Sequence, residues 1–253
     1  MLYLKMNYPG IILITSCHKH LSTRVKELRV PREVDGWPVV MVVGDPRLSA
    51  DFEWRLDGVL VVRCEDSYFH LLKKIYLTLE IILKKYSLDQ GALICGDDVL
   101  FNYEGLSEFL RLSPKADYMG HVTPSEGPKK MYNTFMADYF VTHPHEWDNP
   151  INGIRGIDIS KCVVLPCAPR IAGTIRYVSL KSIRSVIDFM KSIDWNCFHY
   201  DQEYGFMTLC EDLSVGAIMQ KFGIPLTFYK LVAQTEDDFK TGDWVGWTTN
   251  KDK

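Results

Sequence analysis

Leu93-Ile94-Cys95-Gly96-Asp97-Asp98-Val99-Leu100-Phe101-Asn102 is a short apolar run that ends in two adjacent carboxylates and then turns apolar again. It reads as a buried strand whose tip presents acids. Carboxylates crowded at a strand end repel one another and resist burial unless a cation or hydrogen-bond donors compensate, so the arrangement suits a hard divalent metal with oxygen ligands. A solvated Asp-Asp turn would carry the same letters, because Asp is a common turn former. Which reading holds depends on where the tip lies among the other elements.

Working outward from the tip, short β-rich runs at 10–16, 38–44, 58–63 and 92–95 are separated by polar or helical segments. That alternation predicts an α/β fold with a mostly parallel sheet. Between the third and fourth runs, residues 70–86 place Leu71, Ile75, Leu79, Ile82 and Tyr86 at helical spacing, with Lys73, Lys74, Lys84 and Lys85 among the remaining positions. Two further helices are predicted. One covers 179–192, where Ile183, Val186, Ile187 and Met190 share a face, and the other covers 212–222, closed by Gly223 and then Pro225.

Composition sets the outer bounds. With 253 residues, 47% hydrophobic and 24% charged, the chain has material for a large core and reads as one globular domain over 1–253. A formal net charge of −3 gives no electrostatic case for wrapping nucleic acid, so any anionic ligand must be held by a local site. No apolar run approaches the roughly 20 residues that span a bilayer, and residues 1–10 lack the pattern of a signal peptide, which predicts a cytoplasmic protein. The seven cysteines include no Cys-x-x-Cys pair, and several sit in apolar runs where a thiol behaves as a small hydrophobe; neither a zinc site nor a disulfide framework is indicated.

Parallel α/β sheets bind ligands beyond the carboxyl ends of their strands. Thr15-Ser16-Cys17-His18 follows the first predicted strand, Gly44-Asp45-Pro46 the second, Cys64-Glu65-Asp66 the third and Gly96-Asp97-Asp98 the fourth. A rim of hydroxyls, turns and acids suits a nucleotide with a metal-bound diphosphate. Each group alone also fits a turn or a cap, and Ser22, Thr23 or Asp66 could simply cap a following helix.

Four blocks in order then carry a family resemblance. The run from Glu65-Asp66-Ser67-Tyr68-Phe69-His70 through Lys73-Lys74, followed by a helix and Gly96-Asp97-Asp98-Val99-Leu100-Phe101-Asn102, resembles the signature of the β-1,3-galactosyltransferase and Fringe superfamily of glycosyltransferases. Pro169-Arg170-Ile171-Ala172-Gly173-Thr174-Ile175-Arg176-Tyr177-Val178-Ser179 resembles that family's small-Gly-x-x-Tyr-x-x-Ser segment, and Glu211-Asp212-Leu213-Ser214-Val215-Gly216 its Glu-Asp-Val-x-x-Gly motif. The resemblance spans roughly residues 10–225.

The resemblance implies a glycosyltransferase A type fold, a Rossmann-like, mostly parallel central sheet flanked by helices. It also implies a nucleotide-sugar donor, a UDP-sugar foremost, a glycan or glycoprotein acceptor, Mn²⁺ or Mg²⁺, and an inverting reaction. By position, Asp98 matches the metal-binding acid, Asp97 would face the sugar or ribose, and Lys74 matches the lysine of the helix motif. Asp212 matches the general base, a role that needs a carboxylate held within hydrogen-bond reach of the acceptor hydroxyl; an acid in a first helical turn also suits the helix dipole without catalysis. With Thr15, Ser16 and Asp45 from the rim and Gly173 from the third block, these complete the expected donor contacts.

Departures from the pattern narrow these expectations. Gly96 stands where the family has its first acid, leaving two carboxylates, with water and phosphate to complete any coordination. His70 replaces the usual Asn, and no histidine follows His199 to serve as a late metal ligand, a place for which Asp237 and Asp238 are the substitutes. The family's membrane anchor is missing, which fits a cytoplasmic enzyme, viral or microbial, or an excised soluble catalytic domain. The aromatic-rich segment 131–152 and the pair Trp244 and Trp247 are candidates for acceptor stacking and closure over the donor, or for core and tail. Two other classes remain: a nucleotidyltransferase, against which Thr15–Lys19 lacks the expected glycine-rich loop, and a catalytically inactive sugar- or nucleotide-binding module, favoured by Gly96.

Overall fold

Ile11, Ile12, Leu13 and Ile14 are all 1% exposed or less, so this strand is covered on both faces, as a central strand of a parallel sheet must be. A computed structural model describes residues 5–23, 30–67, 70–113, 115–123, 169–195, 200–201, 203–204, 206–207, 211–233 and 245–248. In chain order the first half comprises β1 (Met6–Thr15), a 3₁₀ turn at His18–His20, β2 (Glu33–Val34), β3 (Trp37–Gly44), β4 (Phe52–Trp54), β5 (Val59–Val62) and helix α1 (Leu71–Lys85). Then come β6 (Tyr86–Gly96), β7 (Val99–Phe101), α2 (Tyr103–Arg111), β8 (Tyr118–Thr123), β9 (Arg170–Ser179) and α3 (Leu180–Met190). The rest is β10 (Tyr200–Asp201), β11 (Phe206–Met207), α4 (Glu211–Lys221), β12 (Leu226–Phe228), β13 (Val232–Ala233) and β14 (Gly246–Thr248).

The main sheet runs β12-β8-β9-β6-β1-β3-β5-β4, with β2 on the side of β3. Strands β6, β1, β3 and β5 are mutually parallel, and β9 and β4 run antiparallel to their neighbours. The predicted fold class is what the chain adopts: mixed α/β, with a mostly parallel central sheet flanked by helices. Helices α1, α3 and α4 cover one face, where Leu72, Ile75, Leu79, Ile183, Val186, Val215 and Ile218 pack on Ile11, Leu13, Val42 and Ile94. Helix α2 covers the other with Leu106, Phe109 and Leu110 against Ile12, Ile14, Leu93 and Tyr177.

Two differences from the sequence reading have physical causes. β6 begins at Tyr86, directly after α1, six residues before the apolar run at 92–95, because its first half protrudes and alternates buried Tyr86 and Leu88 with exposed Ser87 and Asp89. Lys74, grouped by spacing with the polar positions of α1, is buried at 3% exposure beneath the sheet rim. The helix at 179–192 forms over Leu180–Met190 with the Ser179 side chain accepting from Ser182 N as its cap. No helix among the described residues is long and apolar enough to cross a membrane.

Candidate functional site

Strand order alone marks one place on the rim. From β1 the chain steps to β3 and β5 in one direction, then crosses back through α1 to β6 on the opposite side of β1. The reversal opens a crevice beyond the carboxyl ends of β1 and β6, the switch point at which open α/β sheets bind ligands. Thr15 pairs with Gly96 in the register, so Ser16 and Asp97, the next residue on each strand, face one another there.

Their side chains meet. Ser16 Oγ donates to Asp97 Oδ2 at 2.6 Å, and His20 Nδ1 lies 2.8 Å from the same oxygen. A carboxylate oxygen accepts here, so Nδ1 carries the proton of this contact. Asp97 is 8% exposed, a burial that these donors make tolerable. Thr15 Oγ1 donates to Cys95 O at 2.9 Å and ties the two strand ends together. Asp98, half-buried, follows in the turn between β6 and β7. Gly96 makes room for it: a Cβ at position 96 would lie 2.6 Å from Asp98 Oδ1. The glycine that departs from the family's triplet thus clears the space into which the Asp98 carboxylate folds.

A second cluster braces this crevice from below. Lys74 Nζ donates to Ser16 O at 2.8 Å and to Asp66 Oδ1 at 2.6 Å. Among the described residues, the Asp66 carboxylate accepts from His18 N at 2.7 Å and Gly44 N at 2.9 Å, stitching the ends of β1 and β3 to the loop before α1. His18 Nδ1 lies 2.9 Å from Gly44 O, a carbonyl that can only accept, and donates to it, with Asp66 Oδ2 3.6 Å away. Asp45 lies on the same rim, half-buried, with its carboxylate bound by Arg47 Nε and Nη2 at 3.0 and 3.2 Å, contacts that hold its pKa below the usual carboxylate range. His70, beside Glu65 and Ser67, is held neutral by burial, its pKa lowered to about 4. The thiols of Cys64 and Cys95 are buried and pushed up, Cys64 to about 12, so both are the small hydrophobes that the sequence suggests.

β9 brings the remaining predicted residues to the same rim. It runs antiparallel to β6 with Cys95 opposite Ile175, so Arg170 and Gly173, earlier in β9, extend past the tip of β6. Asp212 sits in the first turn of α4, where Oδ1 accepts from Leu213 N at 2.8 Å and Oδ2 from Arg170 Nε at 3.2 Å. The contact depends on Gly216, where a Cβ would stand 2.8 Å from Pro169 O and 3.0 Å from Arg170 Cβ; α4 lies this close to β9 only because position 216 has no side chain.

Among the described residues, no three His, Cys, Asp or Glu side chains group as a metal site. The chemistry of the donor set fits a hard cation shared with a ligand: one half-buried carboxylate, Asp98, at a strand-end crevice, with phosphate oxygens and water as the other ligands. Asp237, Asp238, Trp244 and the segment 131–152 lie outside the described residues, and Trp247 falls on β14. His20 and Arg176 were not singled out by sequence reasoning. His20 becomes visible only once β1 is paired with β6, and Arg176 only once β9 is under α4.

No family model matches the sequence, and no curated protein matches it. Among solved structures, the chain is similar to a glycosyltransferase involved in the glycosylation of the major capsid of PBCV-1, at 13% identity and a TM-score of 0.41, covering 96% of this chain and 94% of that one. It is also similar to mouse xyloside xylosyltransferase 1 in its apo form, at 9% identity and a TM-score of 0.40, covering 97% of this chain and 98% of that one.

Proposed function

We propose that this protein is a glycosyltransferase of the A type that moves a sugar, with inversion, from a nucleotide-sugar donor, foremost a UDP-sugar, to a hydroxyl of a glycan acceptor. The observation that carries the reading is the switch-point crevice, where Ser16, His20 and Asp97 are bonded together with Asp98 beside them and the motif acid Asp212 on the same rim.

Ser16 and Thr15 line the entry of the donor at the end of β1, and Lys74 with Asp66 holds that strand end rigid. Asp97, fixed by Ser16 and His20, orients the ribose or the sugar. Asp98 would hold Mn²⁺ or Mg²⁺ together with the donor diphosphate; such an ion, when bound, stabilises the charge that develops on the departing nucleotide. Asp212 accepts the proton of the acceptor hydroxyl as its oxygen attacks the anomeric carbon from the face opposite the leaving diphosphate. Proton removal by a positioned carboxylate contributes about 10²–10⁴-fold.

The test is release of nucleoside diphosphate from a panel of nucleotide sugars with glycan acceptors, run with and without Mn²⁺ on wild type and Asp98→Ala. One donor should turn over in wild type and lose most of its rate in Asp98→Ala. Folded wild-type protein that releases no diphosphate from any donor, yet binds one, would assign the crevice to a sugar- or nucleotide-binding module instead.

A further inference from the structure

Arg176 is a full positive charge in the middle of the main sheet. Its neighbours across the strands are Ile94 of β6 and Gly120 of β8, and it is 1% exposed. Two residues from Val178, it shares the face on which α3 and α4 pack. The guanidinium Nη2 is paired with Glu211 Oε1, itself on a residue only 8% exposed, in the first turn of α4. Among the described residues, Arg176 Nε and Nη1 and Glu211 Oε1 are buried with no hydrogen-bond partner, so the two side chains meet as an ion pair.

Stability does not account for such a group. A buried ion pair commonly gains less than its desolvation costs, and a methionine or leucine of similar volume would fill the site without orphaned donors. What the pair supplies is an anchor, because a buried charge must stay beside its counter-charge. The residues 213–219 of α4 are all buried, and several, Ser214, Gly216 and Ala217, are small, so apolar packing alone leaves the rotation and axial position of this helix weakly defined. Arg176 to Glu211 is a buried ion pair between the central sheet and the first residue of α4, and Asp212 is the next residue.

We propose that Arg176 is a positioning residue for Asp212: by holding Glu211 in the core it fixes the start of α4, and with it the direction in which the Asp212 carboxylate faces. The inference rests on Asp212 being the general base. Arg170 binds Asp212 directly, so the two arginines of β9 divide the task, one bonding the carboxylate and the other the helix turn that carries it.

The experiment compares wild type with R176K, E211Q, the double variant Arg176→Met with Glu211→Met, and D212N, reading thermal unfolding, donor-nucleotide binding, kcat, KM and the acid limb of the kcat–pH profile. The double variant should fold with a midpoint at or above wild type and bind donor nucleotide within about twofold. Its kcat should fall at least about tenfold, since small misplacements of a catalytic group cost up to about 100-fold, and its acid limb should move. R176K, which keeps the charge on a single nitrogen, should recover part of that kcat. A folded double variant with wild-type kcat and an unmoved acid limb would overturn the inference. Should the double variant not fold, R176K and E211Q decide: a lower kcat at unchanged donor KM supports positioning, and wild-type kcat in both overturns it. D212N separates the two claims. Lost transfer in D212N beside a silent Arg176 series removes only the positioning role, whereas retained transfer in D212N removes the base and the inference with it.

Discussion

The two halves of the rim are built in opposite ways. At the β1/β6 crevice the carboxylates of Asp97 and Asp66 are met by a hydroxyl, an imidazole, two backbone N–H groups and one lysine, three of these five donors coming from residues 16–20 just after β1. At the β9/α4 edge the carboxylates of Asp212 and Glu211 are met by two arginines from a strand some 35 to 42 residues earlier in the chain. The first half is assembled by strand pairing itself and is rigid as soon as the sheet forms. The second depends on one helix docking at one height and rotation, so it is the half where small structural errors cost catalysis rather than folding.

The contrast is broken most severely at Asp212. Replacement with Asn keeps the size and removes the proposed base, and transfer should fall by about 10²–10⁴-fold while donor binding stays near wild type, as read by single-turnover transfer beside nucleotide titration. On the other half, Lys74→Met should act on folding. It leaves Asp66 without its lysine counter-ion under the rim and should cost about 3–5 kcal/mol, measured as a fall in midpoint of roughly 6–20 °C.

His70 gives the crevice side a pH dependence. Its folded pKa of about 4 lies below the ordinary 6.5, so its contribution to stability is complete above about pH 6.5 and is lost as pH falls through about 4. The loss amounts to about 3 kcal/mol at most. Denaturant unfolding between pH 7 and 4 should therefore show a shallower slope in His70→Asn than in wild type. The smallest effect is expected from Gly216→Ala, whose new methyl would push α4 from Pro169 and Arg170. An overpacking cost of about 1–3 kcal/mol should appear in thermal unfolding, together with a reduced kcat, because the displaced helix carries Asp212.

How much of this was legible in the sequence follows the same division. The strand-tip acids, the rim residues Thr15, Ser16 and Asp45, and helix α1 were readable because period and punctuation are local signals. Lys74 was readable as a motif lysine but not as a buried one, since a helix face shows polarity and not what lies beneath a neighbouring rim. His20 and Arg176 carried no local signal at all. Each acquires its role from a partner, Asp97 or Glu211, that is 77 or 35 residues away in the chain. The antiparallel placement of β9 was likewise hidden, because residues 175–178 are buried on both faces and give no alternation.

The central claim is that the β1/β6 crevice holds a nucleotide diphosphate through Asp98 and a divalent ion. Thermal unfolding of wild type and Asp98→Ala with UDP, GDP and their sugars, each with and without Mn²⁺, tests it directly. A ligand at 100 times its Kd stabilises the native state by about 2.7 kcal/mol, so one nucleotide should raise the wild-type midpoint by roughly 5–11 °C in the presence of Mn²⁺, with the shift lost in Asp98→Ala. An equal shift in Asp98→Ala, or no shift with any nucleotide, would contradict the account.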